Sequence, residues 1–230
     1  MNSYKDFSYY YDEIMEIIEY DLWVDFVKPY LKENDKILDL ACGSGTFAIS
    51  LANLEYNVTG LDLSDEIISV AKEKAKINRK EIDFHTLDMS DFNLDKKFDV
   101  ITCFFDSVNF LQKNKIINMM DCVYQHLNEG GYFIFDLFTY NKMKFFNNTT
   151  LKDKLSFGKY IWKMKVKNDT LFHKITIIDN KEKIKEEYFE YYYDYKEFLD
   201  SRFKFISVTT DFTDKLDLTN GERILVVLQK

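Results

Sequence analysis

The segment Asp39-Leu40-Ala41-Cys42-Gly43-Ser44-Gly45-Thr46 holds two of the chain's seven glycines. It sits where a short apolar run, Ile37 to Ala41, breaks into a helical pattern from Phe47 to Leu54. Glycine lets the backbone turn tightly and lets a ligand approach the main chain. The N–H groups that open the next helix face a carboxylate or phosphate favourably. Nineteen residues after Gly43, Asp62 closes a predicted strand, Tyr56–Leu61. A carboxylate at that point accepts both hydroxyls of a ribose. Loop and acid together describe a nucleoside site.

The spacing Gly43-x-Gly45-x-x-Ala48 also satisfies a dinucleotide fingerprint. Charge separates the options, because from Asp39 to Ser50 the sequence has one acid and no base. A pyrophosphate beside Asp39 would meet like charge, only partly offset by the helix dipole. S-adenosylmethionine carries an ammonium and a sulfonium, which a strand-end carboxylate favours, while its lone carboxylate can still use the loop amides. The pattern therefore favours that cofactor over NAD.

The elements that must position this loop are legible as a rhythm. After the first strand come a helix (47–54), a strand (56–61), a helix (64–76) and a strand (82–87). An apolar strand (98–105), a helix (113–127), the turn Asn128-Glu129-Gly130-Gly131 and another apolar strand (132–138) follow. Strands alternating with helices predict a parallel sheet covered on both faces. Upstream, Trp23, Phe26, Val27, Tyr30 and Leu31 recur at helical steps, with Pro29 placed to kink or divide the helix. Beyond about residue 140, Tyr160, Trp162, Met164 and Val166 alternate with Lys159, Lys163, Lys165 and Lys167, Ile161 being the one apolar exception, the period of a half-buried strand. Turn signals at Asn168-Asp169 and Asp179-Asn180 make 158–193 an antiparallel meander of three strands. Residues 203–212 and 223–228 supply two terminal strands. The expected organisation is an N-terminal helical segment (1–34), an α/β core (35–140), an antiparallel insertion (141–202) and terminal strands completing the core sheet (203–230).

In this order the residues resemble the class I S-adenosylmethionine-dependent methyltransferases. Ile37 to Gly45 resembles their glycine-rich first motif, and Gly60-Leu61-Asp62-Leu63-Ser64 their ribose-binding motif. Leu87-Asp88-Met89 resembles the adenine-binding acid. Phe98-Asp99-Val100-Ile101 and Leu127 to Gly131 resemble the fourth strand and the turn before the fifth. Ala41 stands where the family most often has glycine. The flanks, Phe7, Tyr11-Asp12, Tyr20, Trp23 and Asp106-Ser107-Val108-Asn109-Phe110, are similar to a small-molecule group in which an antiparallel insertion covers the pocket. Residues 196–203 form a shorter corner than that group usually has, and lack its glycine.

The resemblance implies a Rossmann-like seven-stranded sheet with helices on both faces plus a small antiparallel β insertion. It implies S-adenosylmethionine as cofactor and S-adenosylhomocysteine as product, held by Tyr11, Asp39, Ala41, Gly43, Gly45, Asp62, Leu63, Ile67, Asp88, Met89, Cys103 and Phe104. Asp106, Asn109 and Tyr11 are the candidate catalytic residues, and the aromatic cluster from Tyr188 to Tyr195 a candidate acceptor lining. The expected activity is methyl transfer to an N or O atom of a small molecule. A non-catalytic regulatory binder and an NAD(P)-dependent oxidoreductase are the alternatives.

Composition bounds the rest. With 230 residues, 46% apolar and 30% charged, the chain can bury a full core. Lys and Arg number 31 against 39 Asp and Glu, for a net charge of −8, and the lysines are scattered among acids along the sequence. That balance argues against nucleic acid as main partner. No apolar run approaches a membrane span and the start does not read as a signal peptide. Three distant cysteines make neither a disulfide framework nor a zinc spacing. The expectation is a cytoplasmic monomer or homodimer with a small-molecule acceptor, no nucleic acid, no membrane and no metal.

Overall fold

The computed structural model describes residues 13–14, 19–156, 158–179 and 182–230; Tyr11 and Asp12 lie outside the described residues. The first helix described in full is α1 (Tyr20–Val27), which buries Trp23, Val24 and Val27. It ends where Pro29, which has no N–H to donate, falls in a one-turn 3-10 segment, Lys28–Tyr30. Then come β1 (Lys36–Leu40), α2 (Thr46–Asn53), β2 (Asn57–Asp62), α3 (Asp65–Ile77), β3 (Asp83–Thr86) and β4 (Phe98–Cys103). They continue with α4 (Lys113–His126), β5 (Leu127–Phe138), α5 (Tyr140–Phe146), β6 (Thr150–Leu155) and β7 (Gly158–Lys167). Last are β8 (Thr170–Asp179), β9 (Glu182–Tyr191), β10 (Lys204–Thr210) and β11 (Arg223–Gln229).

Seven strands form one sheet in the order β10-β11-β5-β4-β1-β2-β3. The strands β3, β2, β1, β4 and β5 run parallel, and β11 and β10 close the edge antiparallel. Burial on both faces explains the apolar runs of the sequence. Leu38, Leu40, Phe133 and Phe135 pack against Ile116, Met119 and Val123 of α4. Ile37, Val100 and Ile134 pack on the other face against Trp23, Phe47, Leu51 and Ile68 from α1, α2 and α3. Each such side chain contributes roughly 1.5–3 kcal/mol by leaving water.

The structure departs from the reading at three places. The pairing of β5 with β4 begins at Leu127, and the residues read as a turn, Asn128 to Gly131, form an irregularity inside that pairing, with Gly130 at φ 78°. The expected antiparallel insertion opens instead on a helix, α5, whose N-cap Thr139 accepts from the Lys142 N–H. The second sheet has four strands, β6-β7-β8-β9, all antiparallel. The unforeseen strand is β6, an edge strand whose residues are exposed except Leu155, so it carries no alternating apolar signal.

Pairing register fixes the two faces of this sheet. Tyr160, Trp162, Met164 and Val166 lie opposite Ile177, Ile175, His173 and Leu171. That face packs on Ile14 and, at its other end, on Phe138 of β5 and Met143 of α5. Lys159, Lys163, Lys165 and Lys167 are exposed on the opposite face, where β6 adds Lys152 and Lys154. The sheet is tied to the body through the 3-10 turn Ser107–Phe110 after β4. Asn109 Nδ2 donates to the Tyr191 carbonyl at 2.8 Å, and the Tyr193 hydroxyl to the Leu111 carbonyl at 2.7 Å.

Candidate active site

The carboxyl ends of β1, β2 and β4 meet at the glycine loop, the edge at which parallel α/β sheets bind ligands. Ala41, Gly43 and Gly45 all have left-handed backbones, at φ 54°, 53° and 77°. The Cys42 N–H donates to the Leu61 carbonyl (2.9 Å) and the Gly45 N–H to the Cys42 carbonyl (2.9 Å), closing the loop onto α2. Close packing also needs glycine: a Cβ on Gly45 would stand 2.9 Å from the Phe84 ring, and one on Gly60 2.5 Å from it. Alanine at 41 adopts a conformation that suits glycine better.

Asp62 holds this loop. One carboxylate oxygen accepts the Gly43 N–H at 3.0 Å and the other the Ser64 N–H at 3.0 Å. Ser64 in turn caps α3, accepting the Ile67 N–H at 3.2 Å. Burial pushes the Asp62 carboxyl up from its ordinary value, against the pull of those amides. Leu63 beside it is 71% exposed, whereas Ile67 is buried.

Asp39, on β1, is 3% exposed, and the Thr102 hydroxyl of β4 donates to it at 3.0 Å. Burial, aided by the nearby Asp62 and opposed by that hydroxyl, pushes its carboxyl up to about 7. A buried acid in this state gains from a cation brought beside it. Left-handed backbone at the loop, a strand-end carboxylate and this acid fit an ammonium-bearing nucleoside.

Lys74 corrects the charge argument made from the sequence. Its ammonium, from α3, donates to Thr46 Oγ1 at 2.6 Å and Ser44 Oγ at 3.1 Å. The loop is free of bases only in sequence, so the preference over a dinucleotide rests on Asp39 rather than on an absent cation. Thirty residues separate Lys74 from Ser44, and its place in a run of charged helix residues gave no signal.

The other sequence candidates fall into different surroundings. Asp88 accepts the Ser90 N–H (2.8 Å) and Lys115 Nζ (2.8 Å); this lysine and Ser90 hold its carboxyl below the ordinary value despite partial burial. Cys103 is fully buried with its sulfur 3.9 Å from that of Met89, and burial pushes its thiol well up. Cys42 is raised by burial in the same way, so neither thiol is poised to react. Phe104 is 1% exposed and packs against Trp23 and Phe47 at ring separations of 4.7 and 5.2 Å.

For two candidate catalytic residues the geometry points to holding the chain. Asn109 is fully buried, and both ends of its amide serve backbone groups, the Tyr191 carbonyl and the Phe138 N–H (3.3 Å). Asp106 forms ion pairs with Arg223 (2.8 Å) and Lys142 (3.0 Å). Burial alone would raise its carboxyl, but the two cations hold it well below the carboxylate range, which suits a charge partner and not a base. Arg223 also pairs with Asp136, which is 0% exposed and whose Oδ2 accepts the Asp106 N–H at 3.1 Å. This cluster clamps Phe105 and Asp106, consecutive residues at φ 62° and 61°. Such backbone costs about 1–3 kcal/mol per residue and persists where its surroundings dictate it. Arg223, Asp136 and Lys142 were missed, although Asp136 is the sole charge in the apolar run 132–138 and a buried charge requires a partner.

The fold and loop can now be set beside known proteins. The family of the methyltransferase domain matches residues 37–131. The chain is 32% identical over 240 residues to a Bacillus subtilis (strain 168) protein named "Putative methyltransferase YqeM", covering 99% of this chain and 97% of that one. It superposes with a TM-score of 0.84 on the crystal structure of an S-adenosylmethionine-dependent methyltransferase from Clostridium acetobutylicum ATCC 824, at 26% identity and 98% coverage of each. A shorter match, 29% over 108 residues covering 46% of this chain and 44% of the other, joins it to a dTDP-3-amino-3,4,6-trideoxy-α-D-glucopyranose N,N-dimethyltransferase of Streptomyces venezuelae. The chain belongs to the class I S-adenosylmethionine-dependent methyltransferases. It is an enzyme, and S-adenosylmethionine is its cofactor. No helix among the described residues is long and apolar enough to cross a membrane.

Proposed function

We propose that this enzyme transfers a methyl group to a nitrogen or oxygen of a small molecule. The observation that carries this reading is the four-stranded sheet, fastened by Asn109 and Tyr193 to the segment that follows β4. A layer so placed limits the acceptor to what fits beneath it. The amino-sugar N,N-dimethyltransferase relative supports an acceptor of that size.

In this reading Asp39 binds the cofactor's ammonium, Asp62 its ribose, and Gly43 and Gly45 leave room for its carboxylate arm. Asp88, Met89, Leu63 and Ile67 surround the adenine, with Cys103 and Phe104 backing the methionine arm. S-adenosylmethionine, when bound, supplies an activated methyl on a cationic sulfur. The chain's own work is to bind, align and exclude water, which is worth about 7–11 kcal/mol of barrier when geometry is good. A general base would add only about 3–5 kcal/mol. Asp106 and Asn109 hold the loop beside the acceptor and are positioning residues.

The test incubates the protein with methyl-tritiated cofactor and a whole-cell extract, which is then fractionated by size. Label should enter a low-molecular-weight product, and Asp62→Ala should reduce it sharply at limiting cofactor. Label confined to macromolecules would overturn the small-molecule reading. Tight cofactor binding with no labelled product in any low-molecular-weight fraction would likewise overturn it.

A further inference from the structure

The lysines scattered along residues 152–185 converge once the chain is folded. On the outward face of the second sheet, the six lysines of β6 and β7 are joined by Lys174 of β8 and by Lys183 and Lys185 of β9, all exposed. The acid on that face is Glu187, paired with Lys174. A chain of net charge −8 thus carries one strongly basic face, turned away from the side that packs on Phe138 and Met143.

Two observations say that this is more than a wetted surface. Lysines stand directly opposite one another at Lys154–Lys159 and Lys163–Lys174, an arrangement that destabilises a sheet. Protecting an edge would explain Lys152 and Lys154 on β6, but not the lysines of the interior strands β7 and β8. Amid them, Phe172 and Phe189 are 37% and 45% exposed, face each other across β8 and β9, and touch edge to face at 5.1 Å. A groove of about 270 Å³ runs beside the rings, lined in part by Lys163, Lys165 and Lys174.

We propose that this face binds single-stranded RNA, its phosphates on the lysines and unpaired bases on Phe172 and Phe189. Alternate residues of a strand project the same way about 6.6 Å apart, so Lys163, Lys165 and Lys167 of β7 offer a straight row of cations to an extended backbone. Exposed rings in a basic groove suit splayed bases, which RNA presents in loops and ends. A membrane surface would call for a broad apolar face, and two rings with the half-buried Ile161 and Ile178 set among nine lysines do not supply one. The proposal goes beyond the methyl-transfer reading and does not rest on it.

The experiment measures fluorescence anisotropy of a labelled single-stranded RNA of about 15 nucleotides, within the span of such sites. Saturable binding is expected at about 50 mM salt, weakening about fiftyfold at about 200 mM if four phosphates are neutralised. Charge reversal at Lys163, Lys165 and Lys174 to Glu should remove it, and Phe172→Ala with Phe189→Ala should weaken it about tenfold or more. Both variants should keep wild-type affinity for S-adenosylmethionine by calorimetry, which reports the fold. The Lys→Gln triple serves if charge reversal fails that check. Absence of binding at low salt would overturn the proposal. So would equal affinity for a duplex with indifference to the phenylalanine substitutions. Binding of phosphatidylserine vesicles instead of RNA, or self-association lost with the lysines and no RNA binding, would also overturn it.

Discussion

Two clusters of buried acid lie at the carboxyl ends of the same sheet, and they are built differently. At the end of β5 and β11, Asp136 and Asp106 meet Arg223 and Lys142, so the protein supplies the cations itself. At the end of β1, Asp39 is as deeply buried, yet its side-chain donor among the described residues is the neutral hydroxyl of Thr102. Both clusters adjoin left-handed backbone, at Phe105–Asp106 and at Ala41–Gly45. The difference teaches where charge serves structure and where it serves a ligand. Burial pushes both Asp39 and Asp136 up to about 7, so the partner separates them. Asp136 already has a guanidinium beside it and clamps a loop, whereas Asp39, with a hydroxyl there, still gains from an ammonium.

Breaking the internally neutral cluster should have the largest effect. Arg223→Met leaves two buried acids facing Lys142 alone and removes the guanidinium that lies 4.8 Å over the Trp23 ring. Denaturant unfolding should show a loss of about 3–5 kcal/mol, the usual result of removing one partner of a buried pair. A loss below about 1 kcal/mol would mean that the cluster does not clamp the loop.

In the cofactor half, Asp62→Ala should weaken S-adenosylmethionine binding by about 1.5–3 kcal/mol in calorimetry. It should also lower stability modestly, since the Gly43 and Ser64 N–H groups lose their acceptor. Wild-type binding by this variant would remove Asp62 from the site. The smallest effect belongs to Ala41→Gly. Relief of a left-handed alanine should raise stability by about 1 kcal/mol, partly offset by glycine's greater freedom when unfolded, with cofactor affinity unchanged. Destabilisation in a thermal melt would show that the loop is not strained at this residue.

How much was legible follows from what each element does. The α/β rhythm stood out because both faces of the sheet are buried, which writes uninterrupted apolar runs such as 132–138. The glycine loop and Asp62 were visible because turn, helix start and acid fall within one stretch of chain. The edge strand β6 was invisible, since almost nothing in it is buried. The Arg223–Asp106–Asp136 cluster and Lys74 were missed because their partners lie 117, 87 and 30 residues apart. Alternation along β7 announced an exposed lysine face, but its full charge emerges only when register sets β6, β8 and β9 beside it.

Asp39 carries the central claim, that a buried acid held near neutrality receives the cofactor's ammonium. Because burial raises its carboxyl above the unfolded value, Asp39 favours the folded protein at acid pH, and that contribution is lost as pH rises through about 7. Asp39→Asn should therefore raise the melting temperature of the cofactor-free protein at pH 8 while weakening binding. The direct measurement is calorimetric titration of S-adenosylmethionine into wild type and Asp39→Asn between about pH 6 and pH 7.5. With the carboxyl near 7, wild-type affinity should rise about eightfold across that range as Asp39 ionises, and the variant should bind weakly with a flat profile. Wild-type affinity independent of pH, or a variant that binds as tightly as wild type, would contradict the account.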